Sequence, residues 1–116
     1  MRDFHNYKVW EKGHHFALSI YRKTKSFPKE EIFGITSQIR RAATSIPFNI
    51  AEGCGRRSDA EFAHYLNIAA GSASEVEEEL LLSYDLEFID EASYQILNQE
   101  VNDIKAMLNK LIETLH

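Results

Sequence analysis

Residues 34–57 read GITSQIRRAATSIPFNIAEGCGRR, and this stretch decides how the chain folds. Its small and apolar residues are spaced four, three, four, three and four positions apart, which places them on one face of a helix. They are Ile35, Ile39, Ala42, Ile46, Asn49 and Gly53. The arginine pairs at 40–41 and 56–57 lie off this face. We therefore predict a helix from about Thr36 to Glu52 that packs against partner helices.

Pro47 lies inside this helix, where proline removes a backbone N–H and clashes with the preceding turn. The helix either kinks or ends there. We favour a kinked but continuous helix, because the apolar positions continue in register beyond the proline. The freed carbonyl is expected to be satisfied, directly or through water, by one of three nearby polar side chains, Thr44, Ser45 and Asn49. Gly53 and Gly55 are expected to end the helix.

The rest of the chain predicts three more helices and no strand, because no segment alternates polar and apolar residues with a period of two. The first helix covers about residues 6–26 and the third about residues 58–88, while the last begins at Asp90 or Ser93. Ser58 and Glu61 form a capping box that opens the third helix. We predict an all-α, up-down-up-down four-helix bundle in which residues 1–116 form a single domain.

The third helix carries two apolar stripes, so we expect it to have two neighbours. Residues 69–74, AAGSAS, are nearly bare of side chains and permit the close approach of another backbone. Large apolar residues also exceed what one inward stripe per helix can bury, which is typical of an interface. The residues that we assign to an oligomer interface or to tight packing are Trp10, Phe48, Phe62, Tyr65, Ile68 and Gly71.

Charge is unevenly distributed along a chain whose net charge is −5. Residues 1–60 carry eleven Lys and Arg against six Asp and Glu, whereas residues 61–116 carry two against twelve. One interpretation is that arginines pair with Glu52, Glu61 or the acidic third helix. The other is a phosphate-binding ridge for RNA or DNA, formed by Arg40, Arg41, Arg56, Arg57, Arg22 and Lys23 with Lys25 and Lys29. We expect Arg41 to be structural, and Arg56 and Arg57 to be exposed.

No set of residues predicts catalysis or metal binding. The adjacent His14 and His15 project about 100° apart on a helix and cannot share one ion unaided. The acidic run at Glu75, Glu77, Glu78 and Glu79 is expected to be a solvated face, because a di-iron bundle needs more Glu-x-x-His pairs than the chain has. Cys54 has no histidine base beside it. We therefore predict no enzyme, no metal and no cofactor.

Residues 1–8, MRDFHNYK, lack the apolar core of a signal peptide, and no run approaches the roughly 18 apolar residues that would span a membrane. A single cysteine excludes an intrachain disulfide. We therefore expect a cytoplasmic protein without a membrane partner, held together by packing alone.

Four blocks of the chain resemble the proteins encoded by intervening sequences of bacterial 23S rRNA genes, at residues 9–10, 27–31, 34–57 and 62–82. The most specific part is SQIRRAATSIPFNIAEG at residues 37–53. The resemblance implies a left-handed four-helix bundle that assembles as a homopentamer and has no catalytic activity. It also implies kinship with the accessory proteins of diversity-generating retroelements, which are similar barrels that bind nucleic acid and a reverse transcriptase.

Two functions remain open at this point. One is a non-enzymatic, ring-shaped assembly or adaptor module whose partner is another protein. The other is an accessory protein that binds RNA or DNA through its arginines. In the ring, we expect the first and third or the second and third helices to contact neighbouring copies.

Overall fold

The computed structural model describes residues 2–115, which form four α-helices and contain no β-strand. The helices are α1 (Lys8–Thr24), α2 (Ile35–Cys54), α3 (Asp59–Asp85) and α4 (Glu91–Glu113). Short 3₁₀ helices at Phe4–Asn6 and Lys29–Glu31 precede α1 and α2. The all-α prediction with four helices is confirmed.

Each helix runs antiparallel to the one before it, so the chain passes up, down, up and down through the bundle. Two contacting residue pairs fix the direction of each neighbouring couple of helices. They are Thr24–Arg40 and Gly13–Ile46 for α1 and α2, Ser45–Ser72 and Gly53–Tyr65 for α2 and α3, and Glu77–Asn102 and Tyr84–Tyr94 for α3 and α4. Contacts between α1 and α4 close the bundle, which measures 43 × 23 × 19 Å.

The core is formed by one apolar stripe from each helix. Its largest fully buried side chains are Phe16, Ile20, Ile39, Ile46, Ile50, Phe62, Leu66, Val76, Leu80, Val101, Ile104 and Leu108. Burying a side chain of this size contributes about 1.5–3 kcal/mol, and neither a metal cluster nor a disulfide is needed to explain the fold of residues 2–115. The second stripe expected on α3, Ile68, Leu81, Tyr84 and Phe88, is divided. Ile68 and Leu81 are exposed, whereas Tyr84 and Phe88 are partly buried against the core.

Helix α2 continues through Pro47, as we favoured from the sequence. Pro47 is buried against α1, where a Cβ added to Gly13 would lie 3.7 Å from the proline Cδ and 3.1 Å from Ile46 Cγ2. The proline and the glycine together therefore let α1 and α2 approach closely. The freed carbonyl belongs to Ala43. Thr44 and Asn49 do not donate to it directly, because their side chains donate instead to the carbonyls of Arg40 and Ser45.

The prediction that Gly53 ends α2 is wrong. Gly53 lies within the helix, and the C-cap is Gly55 with φ −80°, an ordinary helical value. A Cβ added to Gly53 would lie 2.9 Å from Tyr65 Cβ and 3.0 Å from Phe62 Cδ1. Glycine is required here because α3 passes too close for any side chain.

The ends of α3 and α4 follow known capping chemistry. The Ser58 hydroxyl accepts a hydrogen bond from the Glu61 N–H at 3.1 Å. The Asp90 carboxylate accepts one from the Ser93 N–H at 2.7 Å. Asp90, not Ser93, is therefore the N-cap of α4. Helix α3 ends at Asp85, shorter than expected, because Glu87 adopts a left-handed φ of 65°.

Candidate functional site

The outer side of the α2–α3 pair carries a strip of short side chains flanked by exposed apolar ones. Ser45 and Ser72 lie at its centre with their hydroxyl oxygens 2.8 Å apart, so the two helices are close there. One turn towards the connecting loop, Phe48 is 68% exposed and Ile68 is 39% exposed. An exposed phenylalanine beside an exposed isoleucine is costly in water and favours a contact with another molecule.

Gly71 lies on this strip and faces open space. A Cβ added to it would meet no atom within 4 Å, so the glycine is not needed for packing within the chain. The expected close approach of a backbone to residues 69–74 is instead made at Ala69, Ser72 and Ala73. We call the surface formed by Arg41, Phe48, Ile68, Gly71, Glu75 and Leu82 the α2–α3 face.

Three other residues that the sequence assigned to an interface or to packing serve packing. Phe62 is fully buried, with the Tyr7 ring 5.7 Å away. Trp10 is half-buried and stacks on His14 with ring centroids 5.1 Å apart. Tyr65 is half-buried, and its hydroxyl accepts a hydrogen bond from Arg56 at 2.8 Å. Phe48, Ile68 and Gly71 therefore remain as the accessible members of the predicted set.

The basic residues of the sequence do not converge on one ridge. One basic group lies at the end of the bundle where α1 ends, and it contains Arg22, Lys23 and Arg40. The position of Arg40 is shown by its Nε, which donates a hydrogen bond to Thr24 Oγ1 at 2.8 Å. Arg56 and Arg57 follow the other end of α2, sixteen residues or about 24 Å further along the helix axis. The structure thus contains two separate basic groups.

The four arginines also differ in their partners. The Arg40 guanidinium covers the Tyr21 ring at 4.9 Å, and Arg56 pairs with Glu52 at 2.7 Å. Arg41 and Arg57 are exposed, and within residues 2–115 their side chains have no hydrogen-bond or ion-pair partner. Arg57 is exposed, as expected, whereas Arg56 is only partly exposed because it pairs with Glu52 one turn away. Arg41 makes no such contact within the single chain, and its structural role stays a prediction.

The acidic run of α3 is not a uniformly solvated face, which corrects the sequence interpretation. Glu75 and Glu78 are exposed, whereas Glu77 accepts hydrogen bonds from Lys105 Nζ at 2.8 Å and Asn102 at 3.0 Å. These bonds lower the pKa of Glu77 and tie α3 to α4.

Glu79 is buried, so the prediction that it belongs to a solvated face is wrong. It is only 7% exposed, and its Oε1 has no hydrogen-bond partner in residues 2–115. Burial, followed by the charge of Glu75 and a hydrogen bond with it, raises the pKa of Glu79 to about 8. The sequence does indicate this burial, because Glu79 follows Val76 by three positions and therefore lies close to the inward apolar stripe of α3.

Other reactive groups do not assemble into a site. Cys54 is buried, and burial raises the pKa of its thiol, which disfavours the nucleophilic thiolate. Among the residues that the structure describes, no three His, Cys, Asp or Glu side chains are grouped to hold a metal ion. The fifth histidine, His116, lies outside those residues. None of the described helices is long and apolar enough to cross a membrane.

Fold and surface together define a small antiparallel helical bundle with an accessible apolar face. The chain belongs to the 23S rRNA-intervening sequence protein family, whose sequence model matches residues 5–110. A solved structure, a protein with unknown function from the S23 ribosomal protein family of Bacteroides thetaiotaomicron VPI-5482, is similar to it with a TM-score of 0.84 and 34% sequence identity. The similarity covers 90% of this chain and 95% of that one. No curated protein matches the chain.

Proposed function

We propose that this protein is a non-enzymatic assembly module that associates with copies of itself through the α2–α3 face. The observation that carries the proposal is the exposed Phe48 side chain on the same face as the open surface at Gly71. A protruding aromatic ring and a gap without side chains are complementary shapes, and aromatic anchors in pockets dominate protein interfaces. The resulting oligomer would act as a scaffold or adaptor for a protein partner.

The position of these features favours a closed ring. Phe48 projects from the corner of the bundle occupied by α2, and Gly71 from the corner occupied by α3. A contact from α2 of one copy to α3 of the next joins two different surfaces, so each copy is rotated in the same sense relative to the one before it. Such a heterologous contact can close into a ring after a few copies, and the family resemblance implies five.

Light scattering on a size-exclusion column tests this proposal. We expect the wild-type protein to elute as a multiple of the chain mass at micromolar concentration. Phe48→Ser and Gly71→Leu should shift it to a monomer with unchanged helix content, because neither residue is needed inside the chain. Ile96→Ser is the matched control, since Ile96 is 61% exposed on α4, away from the α2–α3 face. A wild-type protein that is monomeric at this concentration would remove the proposal.

Nucleic-acid binding is the second candidate function. It is supported by the exposed Arg22, Lys25 and Lys29 near the end of α1, which are close to Arg40. Phosphate contacts of this kind are strong at low salt and weaken as counterions compete. The separation of the basic groups and the pairing of Arg56 with Glu52 favour the assembly function over this one.

Fluorescence anisotropy with single-stranded RNA and DNA tests the second candidate. If the basic end binds phosphates, replacing Arg22, Lys25 and Lys29 with glutamine should weaken binding and reduce the slope of log affinity against log salt by about 0.7–0.9 per lost contact. Changing Lys110, which is exposed on α4, provides a control for the loss of charge. Absence of wild-type binding at about 50 mM salt would exclude this function.

A further inference from the structure

The α2–α3 face carries an arginine on α2 and two acidic side chains on α3. Arg41 on α2 is exposed and has no partner in residues 2–115. On α3, Glu79 is buried with its Oε1 unpartnered, and Glu75 lies one turn away on the solvent side. A buried carboxyl oxygen without a donor is unfavourable, so a donor brought by a partner would be favourable.

The spacing of these charges matches the spacing of the apolar residues. On α2, Phe48 follows Arg41 by seven residues, and on α3, Glu75 follows Ile68 by seven residues. Seven residues are two turns, or about 10.5 Å, on either helix. Both helices therefore carry an apolar residue and a charge at the same separation.

The direction of the helices brings opposite charges together. In a ring whose axis is parallel to the bundle, every copy has the same orientation, so α2 of one copy is antiparallel to α3 of the next just as it is to its own α3. When Phe48 packs at Ile68 and Gly71 of the neighbour, Arg41 consequently lies beside the neighbour's Glu75. With the opposite helix direction, the same Phe48 contact would carry Arg41 away from Glu75 and Glu79, to the level of the neighbour's Glu61.

We propose that Arg41 of one copy binds the Glu75–Glu79 carboxyl pair of the next copy and fixes the register of the ring. This inference rests on the proposed self-association through the α2–α3 face. The planar guanidinium offers several N–H donors, which suits two neighbouring carboxyl groups better than an ammonium does. Glu79 in a lone chain holds its proton up to about pH 8, and an arriving guanidinium would lower that pKa.

Mixing two charge-reversed variants tests this contact. Arg41→Glu and Glu75→Arg should each raise the dissociation constant of assembly by about 100-fold or more, because like charges then face each other across the interface. A mixture of the two should associate again into alternating oligomers, since the glutamate introduced at position 41 of one variant then meets the arginine introduced at position 75 of the other. A ring with an odd number of copies keeps one like-charge contact, so the recovered assembly should be an open oligomer or an even-numbered ring. Within each variant chain, positions 41 and 75 carry charges of the same sign, so an intrachain pair cannot account for the recovery.

The controls separate failure of this inference from failure of the proposed function. Arg57→Glu makes the same charge change at an exposed arginine outside the α2–α3 face and should leave assembly unchanged. If Phe48→Ser dissociates the protein but Arg41→Glu does not, or if the mixture stays dissociated, the Arg41 contact is overturned while self-association stands. If the wild-type protein is monomeric, both are overturned.

Discussion

Replacing Gly53 with alanine is expected to lower the free energy of unfolding by about 1–3 kcal/mol. The added Cβ would lie 2.9 Å from Tyr65 Cβ and 3.3 Å from the Phe62 carbonyl oxygen, neither of which can rotate away because both are fixed to the backbone of α3. The two helices would have to separate. Alanine gains at most about 1 kcal/mol in helix propensity over glycine, and less in the last turn, so overpacking outweighs it.

Gly55→Ala is the matched control for this prediction, because it changes a glycine two positions away. There the Cβ would lie 3.4 Å from the Glu52 carbonyl oxygen, an ordinary contact, and φ is −80°, which alanine adopts freely. Chemical denaturation followed by circular dichroism should show a change within about 0.5 kcal/mol for Gly55→Ala and a clear loss for Gly53→Ala. Equal effects at both positions would mean that the glycines act as helix terminators after all.

The sequence predicts the helices well because their signals are local. The three-four spacing of α2 continues across Pro47, and an unbroken helix through the proline follows from that register. Ser58 and Glu61 form a capping box whose hydrogen bonds lie within one turn, and this motif predicts the start of α3. Glu87 gives no such signal, because a glutamate in a left-handed conformation is unfavourable on its own and is held by the hydrogen bond from Phe88 N–H to the Ser83 carbonyl.

The interaction surface is predicted less well because it depends on distances between helices. The sequence does not show whether Gly53 is needed to end α2 or to let α3 pack closely against it. Only the position of Tyr65 in the structure distinguishes these two roles. The arginines are close in sequence as pairs, yet α2 separates Arg40 from Arg56 by most of its length. Phe48 and Gly71 are candidates from the sequence, but composition alone does not reveal that one protrudes while the other leaves a gap.

Glu79 is expected to make the stability of the single chain fall as pH rises. The folded chain keeps the Glu79 proton up to about pH 8, whereas the unfolded chain releases it near the ordinary value of 4.5. Between these values the unfolded state binds fewer protons, so the free energy of unfolding decreases, by at most about 1.4 kcal/mol per pH unit. The stabilising contribution is fully present below about pH 4.5 and is lost as pH rises through about 8.

Glu79→Gln removes this titration while keeping the shape of the side chain. At pH 8 and at concentrations where the protein is monomeric, we expect the variant to be more stable than wild type by about 2–4 kcal/mol, and at pH 4.5 to be about equal to it. Denaturation curves at the two pH values measure the difference, with Glu78→Gln as a control that changes an exposed carboxyl on the same helix. A Glu79→Gln variant with the wild-type dependence on pH would show that Glu79 is ionised in the folded chain. At concentrations where the ring forms, Arg41 of a neighbour should stabilise the ionised carboxyl, so the gain from Glu79→Gln at pH 8 should shrink as the protein assembles.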